Sequence, residues 1–420
     1  MYFVTNQPGI WSDFMLSLCL IAMVSGQNPV PVQAPWKFKV QQIDHSLGVG
    51  YAVLKADING DGKDDLVVAD KTRLLVYQYP DWQRRVLLEG QTQPDNVCIA
   101  AHDIDGDGHL DLALGADWKP FNTATGGTLQ WLRNPGTSDG AWSVHAITEE
   151  PTLHRIRFVD LQGDGKPELV AVPLMGKGSS QKANWMDGAP LRVLAFQIPA
   201  KPKTDRWPVA VLNQSLHVSH NLCPIPVEGE GKAQNLLLAS YEGIHLLSAD
   251  SPARRADFIF KRTLLHAANQ ENPGASRGAS EIRQGSLGQG RPCIGTIEPW
   301  HGNQVVVYTK NPAGDWKRKL LDDRLKWGHA VLWADLDGDG RDELVAGVRD
   351  SLGKEPDELC GVRIYRAIDA EGNRWERHLL DAGGVAVEDA LVADLDGNGL
   401  QDIVAVGRAT GNARIYWQTR

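Results

Sequence analysis

The sequence predicts an all-β chain folded as a seven-bladed β-propeller. Calcium-binding loops join the first and second strands of its blades, and an N-terminal strand completes the last blade. Three observations predict this. A short acid–glycine loop is repeated along the chain, and strand-like pieces accompany each copy. The last repeat stops one piece short, while a spare piece of the same type stands before the first repeat. Internal repetition overrides the two or three domains that a length of 420 residues would otherwise suggest.

The loop is clearest at Asp335-Leu336-Asp337-Gly338-Asp339-Gly340, closed by Glu343. Oxygen donors stand at positions 1, 3, 5 and 9 of this copy and of four others. They are Asp57, Asn59, Asp61 and Asp65; Asp103, Asp105, Asp107 and Asp111; Asp160, Asp164 and Glu168; Asp335, Asp337, Asp339 and Glu343; Asp394, Asp396, Asn398 and Asp402. Hard oxygen ligands so spaced, with a backbone carbonyl near position 7, can wrap one Ca²⁺. Glycines at positions 4 and 6 permit the turns. An EF-hand opens similarly but closes with Glu at position 12 between helices, whereas here the closing acid leads into a β-branched run. An ion-free Asp/Gly hairpin turn would use the same residues. Five copies favour calcium, with up to five sites. Two further turns, at 228–231 and 285–290, keep the glycines and lose most or all of the acids, so they should hold no calcium. Repeat starts then fall near 57, 103, 160, 226, 285, 335 and 394, which makes seven.

Alternation and β-branched residues mark four strands per repeat, A to D. In the sixth they cover 329–334, 343–348, 362–366 and 375–380. Strand D opens on Trp82, Trp142, Trp207, Trp316 or Trp375, and residues 260–265 take its place once. The seventh repeat ends at Arg420 after strand C, and residues 36–43 carry the missing D pattern. Closed radial repetition of this kind protects sheet edges.

With 42% hydrophobic residues and 14 Trp, the chain can bury a large core. The net charge of −9 is carried by the loop acids, and the remainder is net positive. No basic run or aromatic–basic interleave points to nucleic acid. Serine-nucleophile, P-loop and dinucleotide motifs are not evident.

Residues 14–24 form an apolar run too short to span a bilayer. With Val24-Ser25-Gly26 as a small-residue cleavage site, residues 1–26 read as a signal peptide, although no basic residue precedes Lys37. Met1 and Met15 are alternative starts. The mature chain, 27–420, is then one exported propeller without a transmembrane span. Of its four cysteines, Cys98, Cys223 and Cys293 fall in strand-like stretches and read as buried thiols; Cys360 is the fourth.

A propeller puts its A–B turns on one face and its D–A entries and B–C loops on the other. The residue six before each loop start lies beside the central channel. Blades one to seven place Tyr51, Val97, His154, His220, Ala279, His329 and Glu388 there. His154, His220 and His329 in one register form a transition-metal set, zinc being commonest. Scattered histidines in a wet channel need no function, but three at one height argue for one. The same face gathers Trp300-His301, Tyr241-Glu242, Arg349, Arg408 and a long insert at 173–190 that contains Lys177. Aromatics to stack, cations for oxygens, and His and Glu for proton transfer suit a carbohydrate or keto-sugar.

The loops resemble those of FG-GAP/VCBS-repeat propellers, the class that includes integrin α-subunit propellers. That resemblance implies the fold, on a scaffold hosting adhesion, lectin and lyase roles alike. Residues 154–158, 173–179, 184–188, 298–304, 326–330 and 387–389 resemble the propeller domain of aldos-2-ulose (1,5-anhydrofructose) dehydratases. The resemblance implies a lyase that removes water from keto-sugars with metal assistance. Those enzymes also carry cupin domains, which this sequence does not show.

The expected mechanism has a metal on His154, His220 and His329 polarising a carbonyl. Glu388 or His301 takes the α-proton, and Arg349, Arg408 or Lys177 stabilises the enolate. The rival reading is a non-catalytic exported propeller that binds a glycan or a protein.

Overall fold

The computed structural model describes residues 35–137, 140–272 and 274–420. The expected signal peptide lies outside the described residues. Among the described residues, seven four-stranded antiparallel sheets follow one another along the chain, as blades of a propeller. Six are built in simple sequence order. The seventh pairs Val387–Ala393, Asp402–Gly407 and Ala413–Thr419 with Lys37–Asp44, from the opposite end of the chain. Each strand A packs against the strands A of both neighbouring blades, so the seven close a ring around the channel. Among the described residues no helix is long and apolar enough to cross a membrane.

The strands B are apolar along their length because a neighbouring blade covers each face. Leu66, Val67, Val68 and Ala69 are at most 1% exposed. The core is accordingly a ring of layers between blades, such as Val67, Leu74, Leu112 and Leu132 between blades one and two. Spacing is tight enough that a Cβ on Gly285 would collide with the Trp333 indole of the next blade.

A second repeated device ties blades together. The buried hydroxyls of Tyr77, Tyr365 and Tyr416, each on a strand C, donate to Asp44, Asp322 and Asp381 at the end of the preceding strand D (2.7, 2.9 and 2.8 Å). Arg84, Arg377 and Arg414 pair with the same carboxylates. One of these latches joins Asp44, the last residue of the N-terminal strand, to blade one.

In blade four, His245 on Gly243–Ser248 is fully buried between Ser240 Oγ (3.1 Å) and the Arg262 guanidinium (3.0 Å). Burial first, and Arg262 second, push its pKa down to about 3. The unfolded chain, with an ordinary histidine near 6.5, therefore binds more protons between those values. The associated stability is complete above pH 6.5 and is lost as pH falls toward 3. Acidification from pH 7 to 5 should cost about 2 kcal/mol through this residue. Urea unfolding of wild type and His245→Gln across pH 5–7 checks it: the variant should show a shallower pH slope, and equal slopes would refute the assignment.

Candidate active site at the channel mouth

Five of the channel residues owe their aim to a repeated backbone irregularity. Strand-A pairing slips by one residue between Gly50 and Ala52, Leu153 and Arg155, Ser219 and Asn221, Gly328 and Ala330, and Val387 and Asp389. The extra residues are Tyr51, His154, His220, His329 and Glu388. A bulge of this kind re-aims one side chain without ending the strand. Val97 and Ala279 stand before strands that begin only at Cys98 and Ile282.

The histidines do not converge in the set the sequence suggests. Ligand atoms of His220, His301 and His329 lie within 4.8 Å of one another. His154 is a near neighbour, its ring 4.4 Å from that of His220, but both its nitrogens are engaged. Nδ1 donates to the His220 carbonyl (3.1 Å), and Nε2 accepts from Arg155 (3.3 Å). His301, expected as a proton acceptor, takes the third place. It comes from the loop after Pro292–Glu298, and a left-handed φ of 50° turns its ring in against Trp300. His329 Nδ1 donates to the Glu388 carbonyl (2.6 Å), which leaves Nε2 as its lone-pair nitrogen. Both nitrogens of buried His220 and both of His301 have no hydrogen-bond partner. Glu281 Oε1 lies 2.7 Å from His220 Nδ1, close enough for ion pairing but outside hydrogen-bond geometry. Burial, reinforced by nearby Arg155 or Arg349, lowers the pKa of His154, His220 and His301 well below the ordinary value and that of His329 to about 3. Neutral imidazoles with free lone pairs, and a carboxylate beside them, are a donor set suited to a divalent transition metal.

Glu388 is 5% exposed. Arg408 donates to its Oε1 (2.7 Å), whereas buried Oε2 has no hydrogen-bond partner and lies 3.9 Å from Arg349. Burial is the largest influence and raises the Glu388 pKa, with Arg408 and Arg349 pulling it down. Arg349 also lies over the Trp327 ring at 4.3 Å.

His154, His301, His329, Arg349, Glu388 and Arg408 line a cavity of about 650 Å³ at the channel mouth. Trp118, Trp185, Tyr241, Trp300 and Trp327 form much of its wall. Trp185, His301 and Trp327 all have left-handed φ, of 65°, 50° and 56°. Strain of that kind, about 1–3 kcal/mol each, persists where the surroundings dictate it and is common at functional sites.

Lys177 requires a correction. It is exposed near the start of the insert, where its carbonyl accepts from Ala189 N across the base of that loop (3.0 Å), and it does not line the cavity; Lys182, in the 3₁₀ turn Gln181–Ala183, lines it instead. Arg155, Trp118, Phe121 and Trp327 also line the cavity and were not singled out from sequence. The 117–127 connection of blade two, longer than a hairpin turn, was the available signal for two of them.

On the opposite face the five acid loops share one geometry. The position-1 carboxylate accepts from three successive amides, as Asp335 does from Gly338, Asp339 and Gly340 (2.8, 3.1 and 2.9 Å). Both glycines have positive φ, 76° and 82°. In four of the five the closing acid accepts from the amide at position 2, as Glu343 does from Leu336 (2.8 Å). Buried Asp65 Oδ2 and Asp105 Oδ1 have no hydrogen-bond partner. Arg133 and Arg366 lean on the acids of two loops, Arg366 meeting Asp337 at 2.8 Å.

Residues 126–311 match the β-propeller domain of aldos-2-ulose dehydratase. That stretch contains His154, His220, Glu281 and His301. Residues 57–114 match the FG-GAP-like repeat. The aldos-2-ulose dehydratase of Phanerodontia chrysosporium is 29% identical over 279 residues, covering 60% of this chain. The chain spans 29% of that relative's length. Two crystal structures of BBS1N in complex with ARL6DN, soaked with mercury or with lead, have TM-scores of 0.55 and 0.54 at 12% and 14% identity. Each covers 93% of this chain and 98% of the other, a likeness of fold alone.

Proposed function

We propose that this propeller is a carbon–oxygen lyase that removes water from a keto-sugar held in the channel-mouth cavity. The observation that carries the reading is Glu388: a buried carboxylate with one oxygen fixed by Arg408 and the other free, in a cavity walled by aromatics. Similarity to a dehydratase propeller supports it.

Glu388 Oε2 takes the proton α to the carbonyl. The C–H electron pair forms the new carbon–carbon double bond, the β C–O bond breaks, and hydroxide leaves as water once protonated. Arg349 and Arg408 offer N–H groups to the oxygen on which negative charge develops. Burial strengthens Glu388 as a base, against the pull of Arg408 and Arg349. His220, His301 and His329 would hold a divalent transition metal, zinc being the commonest, with Glu281 beside them. A metal so bound supplies Lewis acidity toward a sugar oxygen. The acid loops on the far face fit Ca²⁺ as structural sites, and in two of them a buried oxygen without a hydrogen-bond partner, Asp65 Oδ2 or Asp105 Oδ1, would supply a ligand. Export accords with extracellular calcium and with the apolar run at 14–24.

The aromatic wall also supports a glycan-binding propeller without chemistry. Incubation with 1,5-anhydrofructose or a 2-keto-sugar, followed by ultraviolet absorbance of the unsaturated product, separates the two. Product should form with wild type, and elemental analysis after mild EDTA and dialysis should find about one tightly held transition metal per chain, lost in His329→Ala. Calcium alone, with no product, would sink the lyase reading.

A further inference from the structure

We propose that the cavity takes a glycoside or oligosaccharide of at least two sugar rings, the inner ring at Glu388 and the outer ring stacked on Phe121. This rests on the sugar reading above and names the substrate class.

Size is the first argument: about 650 Å³ is several times the volume of one hexose, so a single ring would leave most of the cavity to water. Exposure across the cavity is graded. His329 and Glu388 are 3% and 5% exposed, whereas Phe121 is 73% exposed, more than any other large apolar side chain described. A phenyl ring in that position offers apolar area that a bound ligand would remove from water, a favourable transfer.

Phe121 is also built into place. Its ring stacks on Trp185, centroids 6.3 Å apart and planes 26° from parallel, although the two come from separate loops of blades two and three. Trp185 and its neighbour Asn184 both have left-handed φ, and Asn184 Nδ2 donates to the Ala275 carbonyl (2.8 Å). The Tyr241 hydroxyl donates to Asn184 Oδ1 (3.3 Å). Four connections are thus tied into one platform. Gln181 and Lys182 line the same wall and offer polar groups beside it. A pyranose ring presents C–H bonds on its faces and hydroxyls on its rim, and an aromatic plane edged by polar side chains complements both.

Calorimetric titration with glucose, cellobiose, maltose and laminaribiose tests this. In wild type at least one disaccharide should bind about 10-fold more tightly than glucose. Phe121→Ala should remove that advantage and leave glucose affinity unchanged, and Phe121→Tyr should restore it. The side chain is exposed, so the melting temperature should not move. Equal affinity for all four sugars overturns the second ring, as does parallel loss of glucose and disaccharide binding in Phe121→Ala. Absence of binding by any of the four to wild type overturns this proposal, while the keto-sugar reading stands or falls separately on turnover of 1,5-anhydrofructose or a 2-keto-sugar.

Discussion

Glu388→Gln should lower keto-sugar turnover by about 10²–10⁴-fold, the usual worth of a positioned general base. Glutamine has the same size, and its amide oxygen can still accept from Arg408, so the pocket keeps its shape. What disappears is the basic lone pair on Oε2, the oxygen without a hydrogen-bond partner. Loss should fall on kcat, with KM changed little, because the carboxylate acts as the proton moves. Exchange of the substrate's α-proton into D₂O, followed by NMR, should fall in parallel. A kcat within threefold of wild type would remove Glu388 from the role of base. Arg349 and Arg408 would then be cations placed for binding alone.

Chelation of calcium should produce the largest change in stability. Each acid loop crowds carboxylates; those of Asp335, Asp337 and Asp339 lie within 4.8 Å of one another. Without a cation, burial first and neighbouring acids after it raise the closing carboxylates, to about 6 for Asp65, Asp111 and Asp402, 7 for Glu168 and 8 for Glu343. A folded pKa above the unfolded value means that the folded chain holds more protons. The stability of the calcium-free protein is therefore greatest below about pH 4 for these groups and is lost as pH rises through 6 to 8. A bound calcium would take the place of those protons. At 100 times Kd, one site contributes about 2.7 kcal/mol. Several together should raise the melting temperature by about 5 °C or more, with the difference between calcium and EDTA wider at pH 8 than at pH 5. Equal melting temperatures in the two at pH 8 would show that the loops are ion-free turns.

Much of the channel was legible because the repeat is a ruler. Counting six residues back from each loop picked out Tyr51, His154, His220, His329 and Glu388, and all five prove to be bulge residues at the start of strand A. Counting could not show that Arg155 occupies His154 Nε2, since that contact depends on how two adjacent side chains share a buried corner. Nor could it bring in His301, which stands outside the register on a loop with a left-handed residue. The insert at 173–190 stood out by length, but which of its lysines meets the cavity depends on a turn within it.

What the sequence by itself determined was local and periodic: the acid–glycine loops, the four-strand repeat, the count of seven and the face that breaks the pattern. These follow from residue spacing, because turn geometry and side-chain alternation act over a few residues. Tertiary structure alone decided which imidazoles converge, which oxygen of Glu388 is free, and that Phe121 and Trp185 stack across two loops. Those outcomes join residues distant in the chain, and they turn on ångström-scale placement that burial, hydrogen bonding and strained backbone impose only once the ring has closed.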